Sequence, residues 1–188
     1  MAENKYKYGL SRCAISLLTE PLGVLTYATP ILIPGAVTMT ATPKGDAEPF
    51  EADNVDYVGI DKSEGYEVEA EFVDLPEAVE EALFGLTEDS KKVGVEKTGI
   101  SFPRFAFLGQ IQGDAYNRRF AFMDCIVTAR PEISQKTSKA KEPSTTKIKF
   151  KARPRVADDI VRLYTKSDTD ATVYGNWFTA VQDYVAGA

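Results

Sequence analysis

The side chains of this 188-residue chain that could do chemistry are 28 carboxylates, 22 lysines and arginines and two cysteines, because histidine is absent. Without histidine the chain lacks the commonest general base, the Ser-His-Asp and Cys-His nucleophilic sites and nearly all zinc sites. No P-loop, G-x-G-x-x-G motif or EF-hand spacing occurs either. We therefore predict no catalytic residue, no cofactor-binding residue and no metal ligand, and we expect that the protein is not an enzyme.

The charged residues with the most regular spacing form two ladders in which every second residue is charged. The acidic ladder is Glu67, Glu69 and Glu71, and the basic ladder is Lys147, Lys149, Lys151 and Arg153. Period-2 spacing places each ladder on one face of a β-strand. An acidic ladder is most simply a solvated strand face. It could instead line a charged channel, or the two ladders could pair across strands, either within one subunit or between subunits.

Charge is also divided along the chain. Residues 46–96 contain 17 acidic residues and three lysines, whereas residues 136–155 contain eight basic residues and one glutamate. Such a division can indicate a nucleic-acid-binding patch. The basic ladder has one aromatic neighbour, Phe150, and alternation places its ring on the opposite face of the strand. Because no stacking platform accompanies the positive charge, nucleic-acid binding is the weaker alternative.

The elements that position these residues are mostly β-strands. Strands are predicted at 10–18, 31–42, 54–60, 66–73, 100–113, 118–130 and 145–153. The fifth and sixth of them are expected to form a hairpin. Pro76 begins and Gly85 ends a predicted helix, and a second helix is predicted at 177–186 with Asn176 as its cap. Since no βαβ rhythm occurs, we expect an antiparallel β-sandwich or barrel of two sheets, with a flanking α-helix and a short C-terminal helix.

Composition and length set the remaining expectations. The N-terminal sequence has no hydrophobic signal core, and no apolar run approaches the roughly 20 residues that span a bilayer. We therefore expect no membrane partner, and we predict that Cys13 and Cys125 are reduced and buried. The length favours one domain over residues 1–188.

The stretch from Thr26 to Asp61 contains two strand-like runs joined by a long polar connection, residues 43–53. Hairpin loops are usually two to five residues long, so this length favours either a mobile surface segment or a segment that docks on another molecule. Phe50, in the middle of the connection, favours docking. Residues 1–9 are predicted to form an N-terminal arm, and residues 131–144 a second polar loop.

The same stretch resembles a known family. Its pattern TP-x-x-IPGAV, followed by P-x-G and then by F-x-ADN-x-x-Y, is similar to the major tail protein, or tail tube protein, of long non-contractile-tailed phages (siphophages) and prophages of Gram-positive bacteria. The matching residues are Thr29, Pro30, Ile33, Pro34, Gly35, Ala36, Val37, Pro43, Gly45, Phe50, Ala52, Asp53, Asn54 and Tyr57. The resemblance is strongest over residues 1–130 and carries no catalytic residue.

The resemblance implies the phage tail tube protein fold, a β-sandwich or barrel with a flanking helix that is similar to the tube proteins of contractile tails and type VI secretion systems. It implies hexameric rings that stack into a tube around a tape measure protein, with tail terminator and distal tail proteins as further partners. Such a subunit is assembled in the host bacterial cytoplasm and located in the virion. The tube conducts phage DNA to the host without sequence-specific binding.

The resemblance also suggests roles for the charges and the long connection. A lumen without exposed cations would let DNA slide, so we expect Glu67, Glu69 and Glu71 to line it and the basic ladder to lie at an interface or on the outside. Contacts between subunits or rings are predicted at Tyr6, Tyr8, Pro43, Lys44, Asp46, Glu48, Phe50, Asp53, Asn54, Lys147, Lys149 and Lys151. The alternative function is a monomeric β-sandwich binding module.

Overall fold

The computed structural model describes residues 9–20, 24–45, 47–52, 55–61, 64–113, 116–133 and 144–185, with the backbone alone for 47–52 and 55–61. These residues form thirteen strands and two helices. The elements are β1 (Leu10–Thr19), β2 (Thr26–Tyr27), β3 (Ile31–Ile33), β4 (Ala36–Lys44), β5 (Ala47–Ala52), β6 (Val55–Asp61), β7 (Gly65–Phe72), α1 (Glu77–Phe84), β8 (Thr87–Glu88), β9 (Gly94–Val95), β10 (Arg104–Ile111), β11 (Arg119–Ala129), β12 (Thr146–Arg153), β13 (Arg162–Tyr164) and α2 (Ala171–Asn176).

The main sheet has nine antiparallel strands in the order β2-β1-β10-β11-β12-β7-β4, with β3 paired to β1 and β13 paired to β11. β1 pairs with β10, β10 with β11, β11 with β12, β12 with β7, and β7 with β4. The chain bends between β3 and β4 at Pro34-Gly35, and β3 pairs back onto β1. Gly35 takes φ +76° there, and its carbonyl accepts the Val73 amide at 2.8 Å. The predicted mostly β, antiparallel fold is confirmed, and its main strands form one barrel-like sheet rather than two sheets of similar size.

The inward face of this sheet is filled by aromatic and aliphatic side chains. The largest of them are fully buried phenylalanines: Phe72, Phe105, Phe107, Phe122 and Phe150. They belong to one cluster with Val79, Leu83 and Phe84 of α1. Gly85 follows α1 in a left-handed conformation, with its amide donated to the Glu81 carbonyl. The predicted helix is therefore confirmed, and its apolar stripe covers part of the barrel interior.

β11 is buried on both faces along most of its length, and it pairs with β10 as the predicted hairpin. Its alternation is interrupted, because Phe122 and Cys125 join the same interior cluster although they are three residues apart. The pairing with β10 shifts register at this point, as a β-bulge requires. The bulge leaves Asp124 only 1% exposed.

A second apolar cluster lies on the outward face of β1, β10 and β11. Trp177 and Phe178 pack there against small and aliphatic residues, which are Ala14, Ala106, Leu108, Ala121 and Met123. The predicted helix at 177–186 is wrong, since the helix ends at Asn176. Asp170 starts it by accepting the amides of Thr172 and Val173 at 2.8 and 3.1 Å. The helix ends where two successive aromatic residues, Trp177 and Phe178, both pack on the same sheet.

The central stretch is also organised differently from the prediction. β4 does not form a hairpin with the 54–60 strand; it pairs with β7, and β5 pairs with β6 between them. The predicted 43–53 loop thus comprises the end of β4 and the whole of β5. The N-terminal arm up to residue 8 and residues 134–143 of the 131–144 loop lie outside the described residues.

Both cysteines are free and buried, as predicted. Burial raises the pKa of the Cys13 thiol to about 12 and raises the pKa of the Cys125 thiol well above its usual value. Because the thiolate is the reactive form, we expect neither cysteine of the folded protein to react with a thiol reagent such as DTNB at pH 8. Both should react in denaturant, and labelling of the native protein faster than its unfolding would contradict the burial.

Candidate self-assembly surfaces

The two charge ladders lie side by side on one outward face of the barrel. The pairing of β7 with β12 sets Glu71 opposite Lys147 and Glu69 opposite Lys149, and it sets the last rung, Lys151, opposite Glu67. Of the arrangements left open by the sequence, the structure has the cross-strand pairing within one subunit. Phe150 is buried beneath the lysines, as alternation predicted. We call this surface the charge-ladder face.

The ion pairs on this face are long and half exposed. Lys149 Nζ lies 3.4 Å from a Glu69 carboxylate oxygen, and Lys147 Nζ lies 3.7 Å from Glu69 and 3.9 Å from Glu71. Lys44 of β4 reaches Glu67 at 3.3 Å. Exposed pairs of this kind are worth about 0.2–1 kcal/mol each. Their main effect is therefore on register, because a one-residue slip would expose the apolar face of β7 and bury its charge.

The charge-ladder face is not an acidic surface. Its cations, Lys44, Lys147, Lys149, Lys151 and Arg153, are at least as numerous as the three glutamates of β7. Thr40 and Thr42 of β4 and Thr128 of β11 border a shallow, open depression of about 590 Å³ on it. The expectation that the acidic ladder lines a lumen while the basic ladder lies at an interface or on the outside stays a prediction, but the pairing of β7 with β12 puts both ladders on one face. Any molecule that faces the glutamates also faces the lysines.

Carboxylates in excess surround α1 instead. Glu77, Glu80 and Glu81 of the helix line one depression together with Glu88 and a lysine, Lys92. Burial raises the pKa of the Glu80 carboxyl, and the neighbouring charges of Asp74 and Glu77 raise it further. This is an acidic surface of the described chain.

The β5–β6 hairpin forms a separate surface, which we call the arm. Within the described residues its two strands pair with each other and with no strand of the barrel. The Glu64 amide donates to the Lys44 carbonyl at 2.8 Å, and this bond closes the base of the arm. Residues 46–64 contain seven carboxylates and one lysine. An isolated two-stranded hairpin is only marginally stable in water, so an arm of this kind would gain stability from a surface to dock on.

Next to the base of the arm the barrel has an open end, which we call the barrel mouth. It is a depression of about 210 Å³ with an apolar floor that includes Met39, Ala41 and Ile111, and arginines and Tyr164 lie around it. Sequence reasoning missed this site because its residues come from four separate segments. The one signal in the sequence is the Arg118-Arg119 pair at the start of an apolar strand.

The residues predicted to make contacts between subunits are distributed over these surfaces. Pro43 and Lys44 end β4 at the base of the arm, and Glu48 and Phe50 lie on β5. The three lysines are on the charge-ladder face. The remaining five, Tyr6, Tyr8, Asp46, Asp53 and Asn54, lie outside the described residues.

Two features are absent from the described part of the chain, a metal-binding cluster and a membrane-spanning helix. Over those residues, no cluster of three or more cysteines, aspartates and glutamates is arranged to hold a metal ion. Neither of the two helices is long and apolar enough to cross a membrane. No protein-family model matches the chain, and no curated protein matches it.

Proposed function

We propose that this chain is a structural virion protein of siphophage type, which polymerises as stacked hexameric rings into a tail tube around a tape measure protein. The observation that carries the proposal is the arm, a two-stranded sheet that pairs with no strand of the described barrel. A hairpin that lacks a third strand or a packing partner is marginal on its own. A neighbouring subunit would supply that partner at every position of a tube.

The resemblance to tail tube proteins falls on residues that build this feature. Pro34-Gly35 is the corner that joins β3 to β4, and Pro43 lies one residue before the end of β4. Phe50 and Ala52 are in β5, and Tyr57 is in β6. The quoted pattern therefore spans the bent strand and the arm that follows it. This correspondence favours the tail tube protein fold over an unrelated barrel.

A ring requires two different surfaces on each subunit, because a head-to-tail interface closes by rotation and a tube grows by stacking. The arm and the barrel it must contact are such a pair. The lumen wall then has two candidates, the charge-ladder face and the acidic surface around α1. The second fits passage of DNA better, since lysines facing phosphate would bind it by counterion release.

Electron microscopy of the purified protein at high concentration tests the proposal. We expect rings or tubes, together with fast-sedimenting species in analytical ultracentrifugation. A protein that stays monomeric at millimolar concentration would favour a β-sandwich binding module. A protein that shifts an oligonucleotide at low salt and releases it as salt rises would favour nucleic-acid binding. A map of the tube would show whether α1 or Glu67, Glu69 and Glu71 face the lumen.

Phe50→Ala tests the arm directly. We expect the monomer to keep its thermal unfolding curve, because β5 lies outside the main sheet, while tube yield falls by about tenfold through loss of one buried aromatic contact. The measurement is tube length and number by negative-stain microscopy. Tyr184→Ala is the matched control, since it truncates an aromatic residue that is 57% exposed. Tubes of normal yield from the Phe50 variant would show that this residue does not dock.

A further inference from the structure

We propose that the barrel mouth receives the acidic arm of the neighbouring copy in the same ring. The proposal rests on the proposed function, and it names the two surfaces that make the interface. Its elements are a depression with one exposed arginine, Arg162, on one copy and an aromatic residue flanked by carboxylates on the other.

One cation of the mouth, Arg162, is exposed and available to a carboxylate. Arg162 makes no ion pair within the described part of the chain; its guanidinium carbon lies 5.3 Å from the ring centroid of Tyr164 and 5.7 Å from that of Tyr66. Arg119 is nearly buried and already donates from Nε to Gln110 Oε1 at 3.0 Å and from Nη1 to the Tyr174 carbonyl, so it adds fixed positive charge beside the mouth. The Arg162 guanidinium lies near two aromatic rings, and a guanidinium placed in this way keeps its N–H edge free to bind an anion.

The size of the mouth favours a side chain as its occupant. Its volume of about 210 Å³ is several times the roughly 30 Å³ share of one water and below the range of about 300–1,000 Å³ that is typical of small-molecule sites. The apolar floor suits an aromatic or aliphatic group. The arginines around it suit carboxylates on either side of that group.

The arm offers this chemistry. Its strand β5 contains Glu48, Pro49, Phe50 and Glu51 in succession, so one aromatic residue is flanked by carboxylates. The charge-ladder face is the other basic surface, but its lysines already lie beside glutamates. An acidic arm would therefore gain more at the mouth, where the described lining contains no carboxylate.

The geometry points to a neighbour within the ring. The arm leaves the barrel at Lys44 and Gly65, which are paired. The next residue, Tyr66, has its ring centroid 5.4 Å from that of Phe122 in the lining of the mouth. Arm and mouth therefore lie at the same end of the barrel. An extended hairpin of six or seven residues reaches roughly 20 Å, which is long enough to reach a copy placed beside it.

The test is binding of a fluorescein-labelled peptide of residues 46–58 to the full chain, measured by anisotropy below the concentration at which rings form. We expect saturable binding, roughly tenfold weaker for Arg162→Glu and for Arg162→Ala, since a charge-assisted contact is lost. Lys149→Glu, the same charge change on the charge-ladder face, should bind the peptide as the wild type does. A peptide with Phe50→Ala should bind roughly tenfold more weakly than the parent peptide. Thermal unfolding curves of the three protein variants establish that each is folded.

Three results would overturn the proposal. They are no binding at millimolar peptide, equal binding by wild type and both Arg162 variants, and loss of binding in Lys149→Glu alone. Measuring tube formation distinguishes failure of this proposal from failure of the proposed function. Tubes that form normally from Arg162→Glu would leave the tube role standing and the mouth without a role. Peptide binding by a chain that never forms rings would support the site and contradict the tube.

Discussion

Gly65→Ala is expected to leave little folded protein. Gly65 begins β7 at φ +100°, a conformation that side chains disfavour. A Cβ on this residue would lie 2.0 Å from the Ala152 carbonyl oxygen, a backbone atom of the paired strand β12. Removing that overlap would require the two strands to separate. We expect a loss of at least about 4 kcal/mol, in the range of the most damaging point substitutions.

The measurement is soluble yield and thermal unfolding. For a domain of this size a loss of 4 kcal/mol corresponds to a fall in Tm of roughly 8–16 °C. Gly94→Ala is the matched control, because Gly94 is also in a strand and a Cβ there meets no atom within 4 Å. We expect the control to unfold within about 2 °C of the wild type. If the two variants had the same Tm, the close approach of β7 to β12 at Gly65 would be wrong.

The strands around Gly65 show how much of the barrel could be predicted from the sequence. Alternation correctly identified the buried and exposed residues of β7 and β12, and the opposite charges of the ladders correctly suggested their pairing. Strand order was harder, because β4 reaches β7 across the inserted arm. The prediction joined β4 to the next strand in sequence, since local pairing costs the least loop entropy. The prediction missed that β5 and β6 pair with each other, which leaves β4 to pair with β7.

The C-terminal segment illustrates a second limit. The stripe formed by Trp177, Val181 and Val185 has helical spacing, yet Trp177 and Phe178 both pack on the outward face of the barrel. Trp177 also donates its indole N–H to the Phe120 carbonyl at 3.3 Å. Consecutive residues of a helix point about 100° apart, so tertiary packing overrides the local pattern here. Only the structure shows which sheet the rings must meet.

The candidate surfaces also differ in whether the sequence could predict them. The charge-ladder face was predictable because each ladder lies within one strand, where spacing fixes the face. The barrel mouth was not, since Met39, Arg119 and Arg162 lie on separate strands that only the folded sheet brings together. The neutralisation of Glu67 and Glu69 by lysines also depends on how β7 pairs with β4 and β12. A site built within one element can be predicted from period alone, whereas a site built across elements needs the topology.

Asp124→Ala is expected to be the second most damaging change, at about 3 kcal/mol. The bulge in β11 buries the Asp124 side chain to 2% exposure, where it accepts two hydrogen bonds from Arg104, Nε at 3.0 Å and Nη2 at 2.8 Å. Arg153 Nη2 lies 3.5 Å away on β12. Removing the carboxylate would leave a guanidinium partly buried without its main partner. Breaking a buried pair costs about 3–5 kcal/mol, and the 25% exposure of the Arg104 side chain favours the lower end.

Chemical denaturation with the slope held common to all variants measures this loss. Glu20→Ala is the control, because Glu20 contacts the same guanidinium at 2.9 Å but its side chain is 42% exposed. We expect the control to lose less than about 1 kcal/mol, as exposed pairs do. Losses of equal size from the two variants would mean that burial does not strengthen the pair at the bulge. The larger loss from Asp124→Ala would instead establish that β10, β11 and β12 are held together at one buried carboxylate beside the charge-ladder face.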